Sequence, residues 1–224
     1  MKKSSILAIV LSAVLISCNN SSNKATTTTE QEVAVQSGET FNVDSANSLV
    51  KWTGYHKGGL NPRYGIVTTT GSVSVENNVV TGGEFDFDIN SLTTDEESVD
   101  PVTSGGKTAA DLTGHLKSAD FFDTEKFPKA TFKITSVAAY DAANAEEAVE
   151  GATNTISGNL TIKDKTVNVT FPAKISISET GVNVESKFTI NRQDWGLTYG
   201  TEGDAKDWMI SPEIDIELNI VSVK

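Results

Sequence analysis

Ile210-Ser211-Pro212-Glu213-Ile214-Asp215-Ile216-Glu217-Leu218-Asn219-Ile220 decides the reading of this chain, because from Glu213 onward polar and aliphatic side chains strictly alternate. Successive side chains of an extended backbone point to opposite faces, so the segment is a strand with one greasy side and one wet side. The pattern recurs upstream. Phe85, Phe87 and Ile89 oppose Glu84, Asp86 and Asp88; Ala130, Phe132 and Ile134 oppose Thr131, Lys133 and Thr135. Ile156, Leu160 and Ile162 oppose Thr155, Asn159 and Thr161. Further strands are expected at Leu49–Tyr55, Tyr64–Val75, Val167–Ile177 and Val182–Ile190. The total is about eight, a number that closes into a small barrel.

Lys163-Asp164-Lys165 and Glu179-Thr180-Gly181 are short enough to be hairpin connections. One charged face on nearly every strand argues against a parallel sheet covered by helices. The fold expected is all-β, an antiparallel barrel. One stretch departs from period two: Lys107 to Lys117 sets Leu112 and Leu116 four apart among good helix formers, which predicts a short helix despite Gly114. Thr93–Pro101 and Asp141–Gly151 are expected to be loops.

The 224 residues carry 18 basic and 30 acidic side chains, a formal net charge of −12. Such a surface repels polyphosphate, so nucleic acid is not an expected partner. Cys18 is the only cysteine, which excludes an internal disulfide and a thiolate metal site. No HExxH, GxSxG or GxxxxGK[ST] pattern occurs. His56 and His115 are the only histidines. No cofactor and no metal are expected.

Lys2 and Lys3 precede an apolar run from Ile6 to Ile16, interrupted only by Ser12. It is shorter than the roughly 20 residues a spanning helix needs, and matches an export signal. Leu15-Ile16-Ser17-Cys18 resembles the lipobox of bacterial lipoproteins. The resemblance implies cleavage before Cys18, lipidation of that residue and a membrane anchor. Residues 1–17 are thus expected to be a signal peptide and 18–39 a lipidated flexible tether, since the threonine run Thr26–Thr29 and its neighbours bring little apolar surface to bury. The barrel domain spans 40–224. Asn19, rather than aspartate, after Cys18 points by analogy with known sorting to the outer membrane, on its periplasmic face.

Three segments then resemble the YceI family of lipocalin-like periplasmic proteins. They are Leu116-Lys117-Ser118-Ala119-Asp120-Phe121-Phe122-Asp123 with Phe127-Pro128-Lys129-Ala130-Thr131-Phe132; Ile156-Ser157-Gly158-Asn159-Leu160-Thr161-Ile162; and Phe188-Thr189-Ile190-Asn191-Arg192-Gln193-Asp194-Trp195-Gly196-Leu197. The likeness runs from about Phe41 to Val223. It implies an eight-stranded barrel with an elongated apolar cavity that binds a long isoprenoid lipid, such as a polyprenyl phosphate, or a quinone, without catalysis. The Thr103–Thr108 approach to the helix and the Asp141–Gly151 loop look lengthened or unusual for the family, and Tyr199–Asp207 does not map onto it residue by residue.

Trp52, Phe85, Phe87, Phe132, Ile134, Leu160, Phe188, Ile190, Ile216 and Leu218 are the residues expected to line that cavity. From burial alone the default is a solid core, because eight-stranded barrels can be filled by their own side chains; the resemblance reverses this order. Trp195 is expected to pack, and Arg192 to pair with a carboxylate such as Asp194 rather than with a phosphate. Two other functions remain open: an enzyme using His56 or His115 on a lipid or quinone, and a filled barrel docking another envelope protein. The sequence does not decide between a single barrel and a homodimer.

Overall fold

In the computed structural model, residues 24–141, 150–201 and 210–224 are described. Cys18, with the signal segment before it, and Trp208 lie outside them. Eight long strands form one closed antiparallel meander: β3 (Leu49–His56), β4 (Leu60–Glu76), β5 (Val79–Thr94), β6 (Lys129–Ala139), β7 (Asn154–Ile162), β8 (Lys165–Ile177), β9 (Gly181–Asn191) and β10 (Ile210–Val223). Each pairs with the next, and β10 returns to β3, so the long strands close on themselves. All eight coincide with the expected alternating segments, and the one α-helix among the described residues, α1 (Ala109–Lys117), is where the leucine spacing put it.

Local chemistry explains the joints. Asn77 and Asn78 take φ of 53° and 63° between Glu76 and Val79, the two left-handed residues that a type I′ hairpin turn requires. In β10 the register slips between Ile210 and Ile214, and Pro212, which has no N–H to give, sits in that irregularity. The slip keeps Ile210 on the inner face with Ile214 and its alternating successors. At the start of α1, Thr108 Oγ1 accepts the Asp111 N–H at 3.2 Å while the Asp111 carboxylate accepts the Thr108 N–H at 2.9 Å, a reciprocal cap.

Two short strands complete the wall. β2 (Glu39–Val43) lies between β4 and β10, in the slot that β3 continues after the turn at 44–48. β1 (Thr26–Thr28) was not expected. β9 pairs with β8 only over Lys174–Ile177, leaving the first half of β8 unpaired on that side, and β1 takes up Asn168–Thr170 there. The flexible tether expected over 18–39 is therefore corrected for its described part. From Lys24 the chain runs as a strap across the outside of the barrel. Ala25 N–H donates to Thr189 O, Gln31 is held at both backbone groups by Asn159, and Ala34 N–H donates to Ile134 O. Unpaired backbone along the parted strands supplies the stabilisation that apolar side chains do not.

Candidate functional site

Cross-strand register decides what faces inward. Val50, Trp52 and Gly54 of β3 lie opposite Leu218, Ile216 and Ile214 of β10, and the last two lie opposite Phe188 and Ile190 of β9. On the far wall Phe85 of β5 faces Phe132 of β6, which faces Leu160 of β7. Together these faces enclose an interior cavity of about 290 Å³. All ten residues expected at the cavity line it, brought in from β3, β5, β6, β7, β9 and β10.

Aromatic rings give the wall its shape. Phe171 and Phe188 stack with centroids 4.1 Å apart, Phe132 lies 5.8 Å from Phe171, and Phe85 lies 6.4 Å from Phe132. Such contacts hold the rings in defined orientations beyond what burial alone provides. Gly158 is what lets Phe132 lie where it does: a Cβ there would come within 2.2 Å of the ring.

Several lining residues escaped the sequence reading. Phe171 carried a usable signal, its alternation with Val169 and Ala173. Leu112, Leu116, Phe121 and Phe122 also line the cavity, so α1 and the turn after it close one end of the barrel. The leucine spacing predicted the helix but not its target. Thr113 Oγ1 accepts the Thr94 N–H at 2.9 Å and Lys117 Nζ donates to Asn90 O at 2.7 Å, which fix α1 to the end of β5.

Among the described residues, Arg63 and Arg192 are the charged side chains in the lining. Arg192 is buried, at 4% exposure, but does not pair with Asp194 as expected. Its guanidinium donates to the carbonyls of Ser211 (3.0 Å), Tyr199 (2.8 Å), Ile210 (3.3 Å) and Leu197. Asp194 instead accepts from Thr27 at 3.1 Å, a bond that ties the strap to the 3₁₀ turn Arg192–Trp195. Burial pushes the Arg192 pKa down, yet a guanidinium stays charged. Trp195 packs as expected: it is 2% exposed and donates from Nε1 to Leu160 O at 2.8 Å.

Neither histidine lines the cavity. His115 bonds Asp120 at 2.9 Å and meets Phe121 and Tyr199 edge-on. His56 lies 3.1 Å from Asn61 Nδ2, and burial, aided by the charge of Arg63, lowers its pKa.

The YceI-like domain pattern matches residues 41–222. The chain belongs to the YceI family. A UPF0312 protein of Staphylococcus aureus is 29% identical over 140 residues, covering 58% of this chain and 72% of that one. Protein YceI of Salmonella newport is 37% identical over 94 residues, which span 42% of this chain and 44% of the Salmonella protein. Among solved structures, BcnA of Burkholderia cenocepacia superposes with a TM-score of 0.58 at 20% identity, over 80% of this chain and 98% of that one, a likeness of fold. Family and barrel together support a binding protein in general terms.

Proposed function

We propose that this YceI-family barrel is a non-catalytic binder of an isoprenoid-type lipid or quinone, acting as a carrier or scavenger in the cell envelope and anchored to the membrane through Cys18. The cavity carries this reading. A wall of aliphatic and aromatic side chains around about 290 Å³ suits a flexible hydrocarbon, which needs apolar contact and length more than placed hydrogen bonds. The volume is at the lower edge of the roughly 300–1,000 Å³ usual for ligand pockets, so a few isoprene units fit inside and a longer chain extends out of the barrel.

The two rival readings draw less support. A filled barrel has no such interior space. An enzyme using His56 or His115 as acid–base in the cavity needs that side chain on its wall, and both histidines lie off it. The anchor reading rests on the lipobox-like sequence before Cys18.

Organic extraction of the purified full chain, followed by mass spectrometry, tests the binding reading. A co-purified polyprenyl lipid or quinone is expected. A lipid-free protein that also fails to take up added polyprenol or quinone would overturn it, whereas recovery of acyl chains on a Cys18 peptide tests the anchor separately.

A further inference from the structure

The barrel wall is least closed at the seam between β8 and β9. Their ladder stops at Lys174 opposite Glu185, close to Pro172, which has no N–H to give. Where the ladder ends, Ser186 Oγ donates to Pro172 O at 2.6 Å. Beyond that point Val169 and Phe171 of β8 and Phe188 and Ile190 of β9 still line the cavity, although the two strands no longer pair. Phe171 stacks on Phe188 across the gap, so side chains rather than a backbone ladder separate the cavity from the outside here.

The strap fills that gap. Thr26–Thr28 pair with Asn168–Thr170 on one side, while Lys24 and Ala25 meet Thr189 on the other. Thr27 Oγ1 donates to Asp194 at 3.1 Å and Lys24 Nζ to Glu213 at 3.3 Å. These holds are polar, and of residues 24–37 only Ala25 is buried. A hydrogen bond to the wall replaces one to water and gains little net, so the strap lifts at far less cost than a strand packed on the core. The end closed by α1 is firmer, since that helix is capped and pinned to β5. The family pattern begins at residue 41, so the strap lies outside it.

We propose that residues 24–34 are a movable stave of the barrel wall, and that an apolar chain enters and leaves the cavity sideways, between β8 and β9, when the stave lifts. The inference rests on the reading that the cavity takes an apolar chain, and adds to it the route. With Thr26–Thr28 displaced, a chain at the seam meets Val169, Phe171, Phe188 and Ile190 directly, all of them already part of the cavity wall. Asn159, which holds Gln31 at both backbone groups, is then the catch that brings the stave back.

The test measures how fast a quinone with a two-isoprene tail, loaded into the full chain, is displaced by excess farnesol, read as recovery of tryptophan fluorescence. Thr26 and Thr170 are cross-strand partners, which sets their Cα atoms about 4.5–5.5 Å apart, within reach of a disulfide. In a Cys18→Ser background, which leaves no other thiol, Thr26→Cys with Thr170→Cys staples the stave shut. Oxidation of the pair is expected to slow displacement at least about tenfold, to leave the equilibrium affinity within about twofold, and to be reversed by reduction. Asn159→Ala without the staple is expected to hasten displacement by about fivefold or more, and the oxidised staple to abolish that gain. Displacement at the native rate with the staple closed overturns the side route while leaving the apolar reading in place. Should the pair not oxidise, an unchanged rate in Asn159→Ala overturns it instead. A quinone that fails to bind the native chain at all overturns the apolar reading itself.

Discussion

Asp215 shows how a single outward side chain ties the barrel shut. It sits on β10 between β3 and β9, accepting from Tyr55 Oη at 2.7 Å on one side and from Thr189 Oγ1 at 2.6 Å on the other. Burial, and then the bond and charge of Asp215, push the Tyr55 pKa up to about 12. The neutral phenol is thus favoured in the folded state relative to the unfolded chain, where it titrates near 10. The stability from this group is complete below pH 10 and is lost as pH rises through about 12. Denaturant midpoints measured across that window should fall for the native chain and fall less for Tyr55→Phe. Identical slopes in the two proteins would mean that the phenol is not held neutral.

At the scale of elements, the strap is the part with the most unusual physics. Asn159 of β7 and Asn168 of β8 point away from the cavity, yet each is only 3% exposed, because residues 29–34 run over them. Asn159 Oδ1 accepts from Gln31 N–H at 3.0 Å and from Asn168 Nδ2 at 3.0 Å, while its Nδ2 donates to Gln31 O at 2.7 Å. Asn159→Ala removes both backbone anchors of Gln31 and leaves Asn168 Nδ2 with Thr135 alone. It should cost about 1–3 kcal/mol for each buried group left unsatisfied. Amide exchange should speed up at residues 25–34 while the cavity-facing strands keep their protection. Unchanged exchange in the strap would show that β1 pairing alone secures it.

For the whole molecule, the cavity sets a reserve of stability that only a ligand can supply. Side chains around a cavity lack contacts on one side unless a ligand supplies them. A chain that binds the folded barrel and not the unfolded one adds about 2.7 kcal/mol at a hundredfold excess over its Kd. For a domain of this size that corresponds to a rise in Tm of about 5–10 °C. Calorimetric scans with and without farnesyl phosphate should show it. An apo barrel that melts at the same temperature as the loaded one would mean the ligand sits outside the fold.

The strands were legible in the sequence because period two is a property of local backbone geometry: β10 announces its inner and outer faces wherever it packs. The inward-facing set was legible for the same reason, since Phe85, Phe132, Phe188 and Leu218 each occupy the apolar phase of their own strand; that they surround a cavity and not a solid core was implied only by the family resemblance. The wall's chemistry beyond that was not. Arg63 follows Asn61-Pro62 with no periodic signal, and only the β3–β4 register turns it inward beside Gly54. The strap likewise looked like a solvated tether, because its order comes from backbone groups on β6, β8 and β9 and from the Asn159 side chain on β7, which are 100 or more residues away in sequence. Alternation thus determined that this chain closes a greasy interior. The closing of β10 onto β3 decided which charges that interior keeps and which segment is bound across its outside, since both depend on contacts between distant parts of the chain.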